Sequence, residues 1–197
     1  MKKEFNARST YTIATKGGLL LEVANGGREN GAVVQLWAPT GAEGQLWKFK
    51  EAGDGLWQIL SKPSGKCLDV IYGGTEDGSW VHQWEYLGGT NQLWSVERVG
   101  DGVYKLKNAG KCLDVVGMAA VNGARLQLWT DVDGENQQWV IAPAKKTPAK
   151  TPKQAKASTA LAKKTPASLA KKKAAPLAEK KPAPLAEKKP AGKLARK

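Results

Sequence analysis

The acidic residues best placed for chemistry in this sequence lie inside a repeated motif. The hexapeptide Gly-Lys-Cys-Leu-Asp-Val occurs at 65–70 and again, 45 positions later, at 110–115. Asp69 and Asp114 therefore occupy matching positions. An ionised aspartate accepts hydrogen bonds at both carboxylate oxygens, and its charge strengthens each bond. Such a carboxylate suits the recognition of two adjacent hydroxyl groups.

Groups for catalysis or metal binding are scarce in the sequence. It contains one histidine, His82, and two cysteines, Cys67 and Cys112. The sequence has no motif that joins a nucleophile to a base and an orienting group, no phosphate-binding loop and no metal-ligand cluster. A free cysteine usually behaves as a small, buried hydrophobic side chain, and this is the interpretation we favour for both cysteines. We therefore predict a protein that is not an enzyme and that uses no cofactor and no metal.

The aspartate motif belongs to an internal repeat of about 45 residues. A third, weaker copy lies at 18–23, where Glu22 replaces the aspartate. Each copy is followed by a segment that ends in tryptophan and then by a Gln-x-Trp triplet. The tryptophan-ended segments lie at 35–37, 82–84 and 127–129, and the triplets at 45–47, 92–94 and 137–139. The repeats cover about 10–50, 56–98 and 103–142.

The repeats have the pattern of short strands. Their apolar runs alternate with polar residues and are separated by turn signals such as Asn30-Gly31 and Asp77-Gly78. About four strands fit each repeat. Three such units cannot bury separate cores, but they share one when arranged about a pseudo-threefold axis. We predict an all-β fold, a β-trefoil, with Trp47, Trp94 and Trp139 in its core.

These motifs resemble the ricin B-type (R-type) lectins, also known as family 13 carbohydrate-binding modules. The resemblance rests on three Gln-x-Trp triplets in register and two identical hexapeptides, and it covers about residues 10–142. It implies carbohydrate binding in a shallow pocket on each repeat. A sugar ring has apolar C–H faces and many hydroxyls, so the pocket needs a flat aromatic ring beside polar acceptors and donors.

The resemblance assigns a carboxylate, a supporting polar residue, a stacking tryptophan and amides to each pocket. The third repeat matches fully, with Asp114, Gln127, Trp129, Asn136 and Gln137. The second has Asp69, His82, Trp84, Asn91 and Gln92. The first has Glu22, Gln35, Trp37 and Gln45, with Gly44 in place of the asparagine. Two alternatives stay open: the aspartates could cap turns, and the tryptophans could cover the core.

The cysteines depart from the family pattern. In the family, the motif cysteine commonly pairs with a second cysteine two residues after the aromatic of the third strand. Here Pro39, Tyr86 and Asp131 hold those places. Cys67 and Cys112 are therefore expected to be free, which fits a reducing compartment.

The charge of the chain divides into two parts. Residues 1–142 hold 14 Lys and Arg against 16 Asp and Glu, whereas residues 143–197 hold 17 against 2. All 8 tryptophans precede residue 143. We therefore predict a folded domain over 1–142 and a disordered basic tail over 143–197.

The tail can neutralise phosphates but lacks aromatic rings to stack on bases, so nucleic acid or another polyanion would bind without sequence preference. A solubilising linker and a tail that binds anionic lipid remain alternatives.

Together these features predict a lectin with up to three sugar sites, attached by its tail to nucleic acid or another polyanion. The resemblance points to galactose-type or xylose-type glycans. The alternative is a nucleoid-associated, sequence-independent DNA-binding protein that uses the trefoil as a scaffold. Neither a transmembrane run nor the apolar segment of a secretion signal is present, which predicts a location in the cytoplasm, including the nucleoid.

Overall fold

The computed structural model describes residues 4–144, which form twelve short β-strands. The first repeat contains β1 (Tyr11–Ala14), β2 (Leu20–Val23), β3 (Val34–Trp37) and β4 (Trp47–Gly53). The second contains β5 (Leu56–Ser61), β6 (Cys67–Val70), β7 (Val81–Trp84) and β8 (Trp94–Gly100). The third contains β9 (Val103–Asn108), β10 (Lys111–Val115), β11 (Leu126–Trp129) and β12 (Trp139–Pro143). The basic tail was predicted to begin at residue 143, but Pro143 is the last residue of β12 and pairs with Tyr11. The tail from residue 145 onward lies outside the described residues.

Short 3₁₀ turns occupy the same two places in every repeat. One follows the second strand, at Ala24–Gly26, Ile71–Gly73 and Val116–Met118. The other precedes the fourth strand, at Glu43–Gln45, Thr90–Gln92 and Glu135–Gln137. The prediction of four strands per repeat is confirmed, and no helix among residues 4–144 is long and apolar enough to cross a membrane.

Six strands close into a barrel in the order β1, β4, β5, β8, β9 and β12, and β12 pairs back to β1. The other six strands form three hairpins, β2–β3, β6–β7 and β10–β11, one from each repeat. Isolated bridges join neighbouring hairpins in a cycle: Val33 with His82, Trp80 with Gln127, and Arg125 with Gln35. This arrangement confirms the predicted β-trefoil.

The core lies on the pseudo-threefold axis, as predicted from the Gln-x-Trp triplets. Trp47, Trp94 and Trp139 are fully buried. Each indole N–H donates to a backbone carbonyl of the second strand of its own repeat, at 2.9–3.0 Å. A buried indole needs such an acceptor, so each tryptophan both fills the core and fixes the strand that carries the carboxylate.

Phe5 adds an aromatic contact that the repeats did not predict. It is buried, and its ring stacks on Phe49 with centroids 4.1 Å apart. It also contacts Tyr11, Trp57 and Tyr104, the aromatic residues near the start of the first strand of each repeat. A single residue that precedes the repeats thus packs against all three of them.

Candidate functional site

Strand register places each carboxylate opposite a polar side chain. In an antiparallel pair, directly opposed residues project on the same face and lie close together. The second strand of each hairpin thereby supplies a partner for the carboxylate on the first. The opposed pairs are Asp114 with Gln127, Asp69 with His82, and Glu22 with Gln35.

In the third repeat, three amides hold the carboxylate of Asp114. Its Oδ1 accepts from Gln127 Nε2 at 3.0 Å, and its Oδ2 accepts from Asn136 Nδ2 at 2.6 Å and Gln137 Nε2 at 3.1 Å. Burial raises the pKa of Asp114, while these three hydrogen bonds act in the opposite direction. Trp129 is 39% exposed and lines the same cavity. The predicted residues of this pocket are therefore brought together.

In the second repeat, an imidazole replaces one of the amides. Asp69 Oδ1 is 2.9 Å from His82 Nε2, and Oδ2 accepts from Asn91 Nδ2 at 2.9 Å. Asn91 also donates to the carbonyl of Val70, which fixes the direction of its amide. The His82 ring stacks on Trp84 with centroids 5.2 Å apart. His82 is buried, lies against the ring of Trp84 and orients the carboxylate of Asp69.

The first repeat holds its longer carboxylate differently. Glu22 Oε2 accepts from Gln45 Nε2 at 2.8 Å, and Oε1 accepts from Gln35 Nε2 at 3.4 Å. A side chain at Gly44 would place its Cβ 3.2 Å from the carbonyl of Val23. The glutamate is thus bonded without the asparagine that the other repeats use. Trp37, 36% exposed, lines this cavity too.

The glutamine of each Gln-x-Trp triplet is a structural clamp. Gln137 is fully buried; it donates to the carbonyl of Thr130 at 2.9 Å and accepts from the N–H of Val132 at 3.0 Å. Gln45 and Gln92 make the equivalent pair of bonds in their repeats. We predicted these glutamines as ligand contacts; in the structure each is almost fully buried and holds the loop that follows the third strand, and Gln92 also lines the cavity of the second repeat. Their spacing two residues before a buried tryptophan is a signal for this role.

A turn from the neighbouring repeat fixes the residue after the tryptophan that ends each third strand, a relationship that the sequence did not reveal. Asn30 Oδ1 accepts from the N–H of Glu85, the residue after Trp84, at 3.0 Å. Gly31, at φ 85°, lies against the same indole. The equivalent acceptors are Asp77 for the N–H of Thr130 and Asn122 for the N–H of Ala38, both at 2.7 Å. The recurrent Asn-Gly and Asp-Gly pairs, predicted only as turns, thus hold the end of the third strand of another repeat.

The two cysteines are buried and unpaired, as the sequence predicted. Burial is the main cause that raises the pKa of each thiol to about 11. Asp131, at a position where the family has a cysteine, instead forms ion pairs with Lys105 and Lys107 at 2.8 and 3.0 Å. The hydrogen bond from Lys105 is the main cause that holds the pKa of Asp131 well below its usual range. Within residues 4–144, no cluster of three histidine, cysteine or acidic side chains could hold a metal ion.

Comparison with known families agrees with this geometry. The ricin-type beta-trefoil lectin domain matches residues 9–139. The chain belongs to this lectin family. Family membership supports carbohydrate binding by the matched residues. A comparison with curated proteins gave no match.

Solved structures of related trefoils extend the comparison. ThreeFoil, a designed threefold-symmetric protein, is 36% identical, with a TM-score of 0.65 over 67% of this chain and 96% of that one. The exo-beta-1,3-galactanase 1,3Gal43A from Clostridium thermocellum is 32% identical, with a TM-score of 0.68 over 73% of this chain. Only 32% of the galactanase is covered, so this lectin chain matches a minor part of that enzyme.

A natural lectin shows the same fold at lower identity. The Macrolepiota procera ricin B-like lectin, solved in complex with lactose, is 19% identical with a TM-score of 0.57. The match covers 71% of this chain and 98% of that lectin. The lectin domain therefore accounts for almost the whole of that relative.

Proposed function

We propose that this chain is a non-enzymatic lectin with up to three shallow sites for neutral sugars. One observation carries the proposal: Asp114 is a buried carboxylate fixed by three amides, and the exposed Trp129 lines the same cavity. A capped turn would explain the aspartate alone. It would not explain a flat apolar ring left partly open to solvent beside it.

The carboxylates retain capacity for a ligand. An ionised carboxylate offers about four acceptor positions. Asp69 uses two of them, for His82 and Asn91, whereas Asp114 uses three. The second site can therefore accept from two adjacent hydroxyls at the carboxylate itself. In the third site one hydroxyl binds Asp114, and the amide of Gln127 or Asn136 supplies the next contact.

The charge of the sites favours neutral sugars over acidic ones. Each pocket is built around a carboxylate, and the charge of Asp77 further raises the pKa of Asp114. An anionic sugar would meet this negative charge at short range. Galactose-type or xylose-type sugars are the proposed ligands; they follow the family resemblance, the lactose complex of the Macrolepiota procera lectin and the galactanase match. Because single shallow sites bind weakly, simultaneous use of two or three sites would supply avidity.

The basic tail is proposed to attach the lectin to nucleic acid or another polyanion. Its 17 cations against 2 acidic residues support this second activity. The alternative of a DNA-binding protein that uses the trefoil as a scaffold rests on the same composition. We propose a cytoplasmic location, including the nucleoid, because Cys67 and Cys112 are free where the family commonly has disulfides.

A glycan array with the full-length chain tests the lectin proposal. The array is probed at moderate salt, and only neutral glycans are scored because the tail would bind acidic ones. The Asp69→Ala/Asp114→Ala double variant should lose binding, whereas Asp101→Ala, a charge removed from an exposed turn, should keep it. If the wild type binds no neutral glycan, the trefoil is a scaffold and the polyanion becomes the ligand to pursue.

A further inference from the structure

Tyr72 has a backbone conformation that does not suit its side chain. Its φ is 56°, in the left-handed region, where L-residues other than asparagine, aspartate and glycine are disfavoured. The equivalent residues of the other repeats are Asn25, at φ 55°, and Gly117, at φ 63°. Both are residue types that tolerate this region. The second repeat alone among the three places a bulky aromatic residue there.

Side-chain packing does not offset the backbone strain at Tyr72. The Tyr72 side chain is 103% exposed, so it contributes no buried apolar surface. Tyr11 and Tyr104, by contrast, are 7% exposed and pack around Phe5. Residues whose backbone strain is not offset by packing within the fold are concentrated at functional sites. Tyr72 therefore requires an explanation outside the stability of the domain.

The position of Tyr72 suggests that explanation. It lies at the rim of the cavity that contains Asp69, His82 and Trp84, and Leu87 lies on the same rim. Trp84 is half-buried, with His82 stacked against it, whereas Tyr72 projects fully into solvent. The site thus has one aromatic ring inside the pocket and a second one outside it.

We propose that Tyr72 is a second aromatic platform, which contacts the sugar unit next to the one held by Asp69 and Trp84. The second site would then select neutral glycans of two or more units, while the third site, with Gly117 at this place, would gain little from a second unit. This inference rests on the proposed lectin function. It adds a specificity-determining residue that distinguishes one repeat from the others.

Site-resolved titration of the full-length chain tests the inference. In ¹⁵N-labelled protein, the indole N–H signals of Trp84 and Trp129 report the second and third sites separately. The probes are galactose with lactose, and xylose with xylobiose. At Trp84 the better pair should show a disaccharide Kd about three- to tenfold below the monosaccharide Kd, the range expected for one aromatic contact. At Trp129 the two values should be similar.

Variants separate the role of Tyr72 from any structural one. Tyr72→Asn, which installs the residue of the first repeat, should abolish the disaccharide preference at Trp84 and leave the monosaccharide Kd and the Trp129 titration unchanged. Its unfolding midpoint should stay the same or rise, because asparagine tolerates the backbone better. Tyr72→Phe should keep the preference. Gly117→Tyr, at a position where a Cβ meets no atom within 4 Å, should create the preference at Trp129.

Three outcomes would overturn the inference. If the wild type binds the sugars but shows no disaccharide preference at Trp84, Tyr72 contacts no second unit, although the lectin function stands. If Tyr72→Asn keeps the disaccharide preference at Trp84, Tyr72 is not a platform, although the lectin function stands. If neither indole signal of the wild type responds to any of the four sugars, the proposed function fails and the inference fails with it.

Discussion

The side-chain oxygen of Asn30 accepts a hydrogen bond from the backbone N–H of Glu85, 55 positions later in the chain, at 3.0 Å. The same oxygen accepts from Lys66 Nζ at 2.6 Å. One asparagine of the first repeat thus fixes the end of the strand that carries Trp84 in the second repeat. The position of Trp84 in the pocket of the second repeat therefore depends on a residue of the first repeat.

Removing the acceptor at Asn30 should weaken the second site. We expect Asn30→Ala to lower the free energy of unfolding by about 1 kcal/mol, the usual value of such hydrogen bonds. The Kd reported by the indole of Trp84 should rise, while that of Trp129 stays constant. Asn30→Asp is the matched control because it keeps the acceptor in the form found at Asp77. Equal Kd values for the alanine variant and the wild type at Trp84 would show that the turn only stabilises the fold.

Gln137 and Gln127 should respond differently to truncation. Gln137→Ala removes three hydrogen bonds, those to the carbonyl of Thr130, the N–H of Val132 and the buried carboxylate of Asp114, so at about 1 kcal/mol each it should lower the free energy of unfolding by about 2 to 3 kcal/mol in urea denaturation. Gln127→Ala removes a half-exposed amide and should mainly reduce sugar binding at the third site. Gln138→Ala, on the adjacent residue, is the control for stability. Similar stability losses for Gln127→Ala and Gln137→Ala would contradict the division into ligand-side and clamping residues.

Sugar binding at the third site should depend on pH through Asp114. The ionised carboxylate accepts the sugar hydroxyl, and burial raises the pKa of Asp114 above the usual value of an aspartate. Binding should therefore be full at neutral pH and decline, as pH falls, before an ordinary aspartate protonates. A raised acid pKa favours the protonated form in the folded state, so the contribution of this group to stability is present at low pH and is lost as pH rises through the folded pKa. Titrations followed at Trp129 between about pH 3 and pH 7 check the binding, and a flat profile would exclude the carboxylate as an acceptor.

Both thiols should be unreactive in the folded protein. The thiolate is the nucleophile, and burial raises the pKa of Cys67 and Cys112 to about 11. A colourimetric thiol reagent at mildly alkaline pH should label neither cysteine within the time in which it labels the unfolded chain. Labelling in guanidinium chloride provides the control for total thiol. Rapid labelling of the native chain would mean that the hairpins β6–β7 and β10–β11 open often.

The tail should bind duplex DNA by charge alone. If about ten of its cations engage phosphates, the logarithm of affinity should fall with the logarithm of salt at a slope of about −9. A fragment of residues 1–144, the part of the chain with the complete trefoil, should lose this binding and keep neutral glycan binding. DNA binding by the fragment with a shallow slope would instead place the nucleic-acid surface on the trefoil and favour the scaffold alternative.

Much of the fold could be predicted because the repeat displays it three times. The hexapeptides at 65–70 and 110–115 identify equivalent strands, and the Gln-x-Trp tryptophans identify one shared core. The resemblance to the lectin family also assigned Asp114, Trp129 and Asn136 to one predicted pocket, and the structure places them together.

The remaining features depend on contacts between repeats or on burial, which a linear pattern does not encode. The bond from Glu85 to Asn30 joins residues far apart in the chain, so the Asn-Gly pair could be predicted only as a turn. Glutamine is also a residue type that contacts sugars, so only the complete burial of Gln137 in the structure identifies it as a clamp. The left-handed backbone of Tyr72 likewise follows from the turn it shares with Asn25 and Gly117, since its residue type alone would not favour that conformation.

The pairing of β1 with β12 closes the barrel between the first and the last strand of the trefoil. Tyr11 pairs with Pro143, and the N–H of Ala144 donates to the carbonyl of Thr10 at 2.8 Å, so the two ends of the described fold are adjacent. The junction between the third and first repeats is therefore a strand pairing of the same kind as the others, with a chain break in place of a loop. A circularly permuted chain, closed there by a short linker and opened between the first two repeats, would retain every strand pair and all three pockets. The same fold would therefore form with the repeats in a different order along the chain.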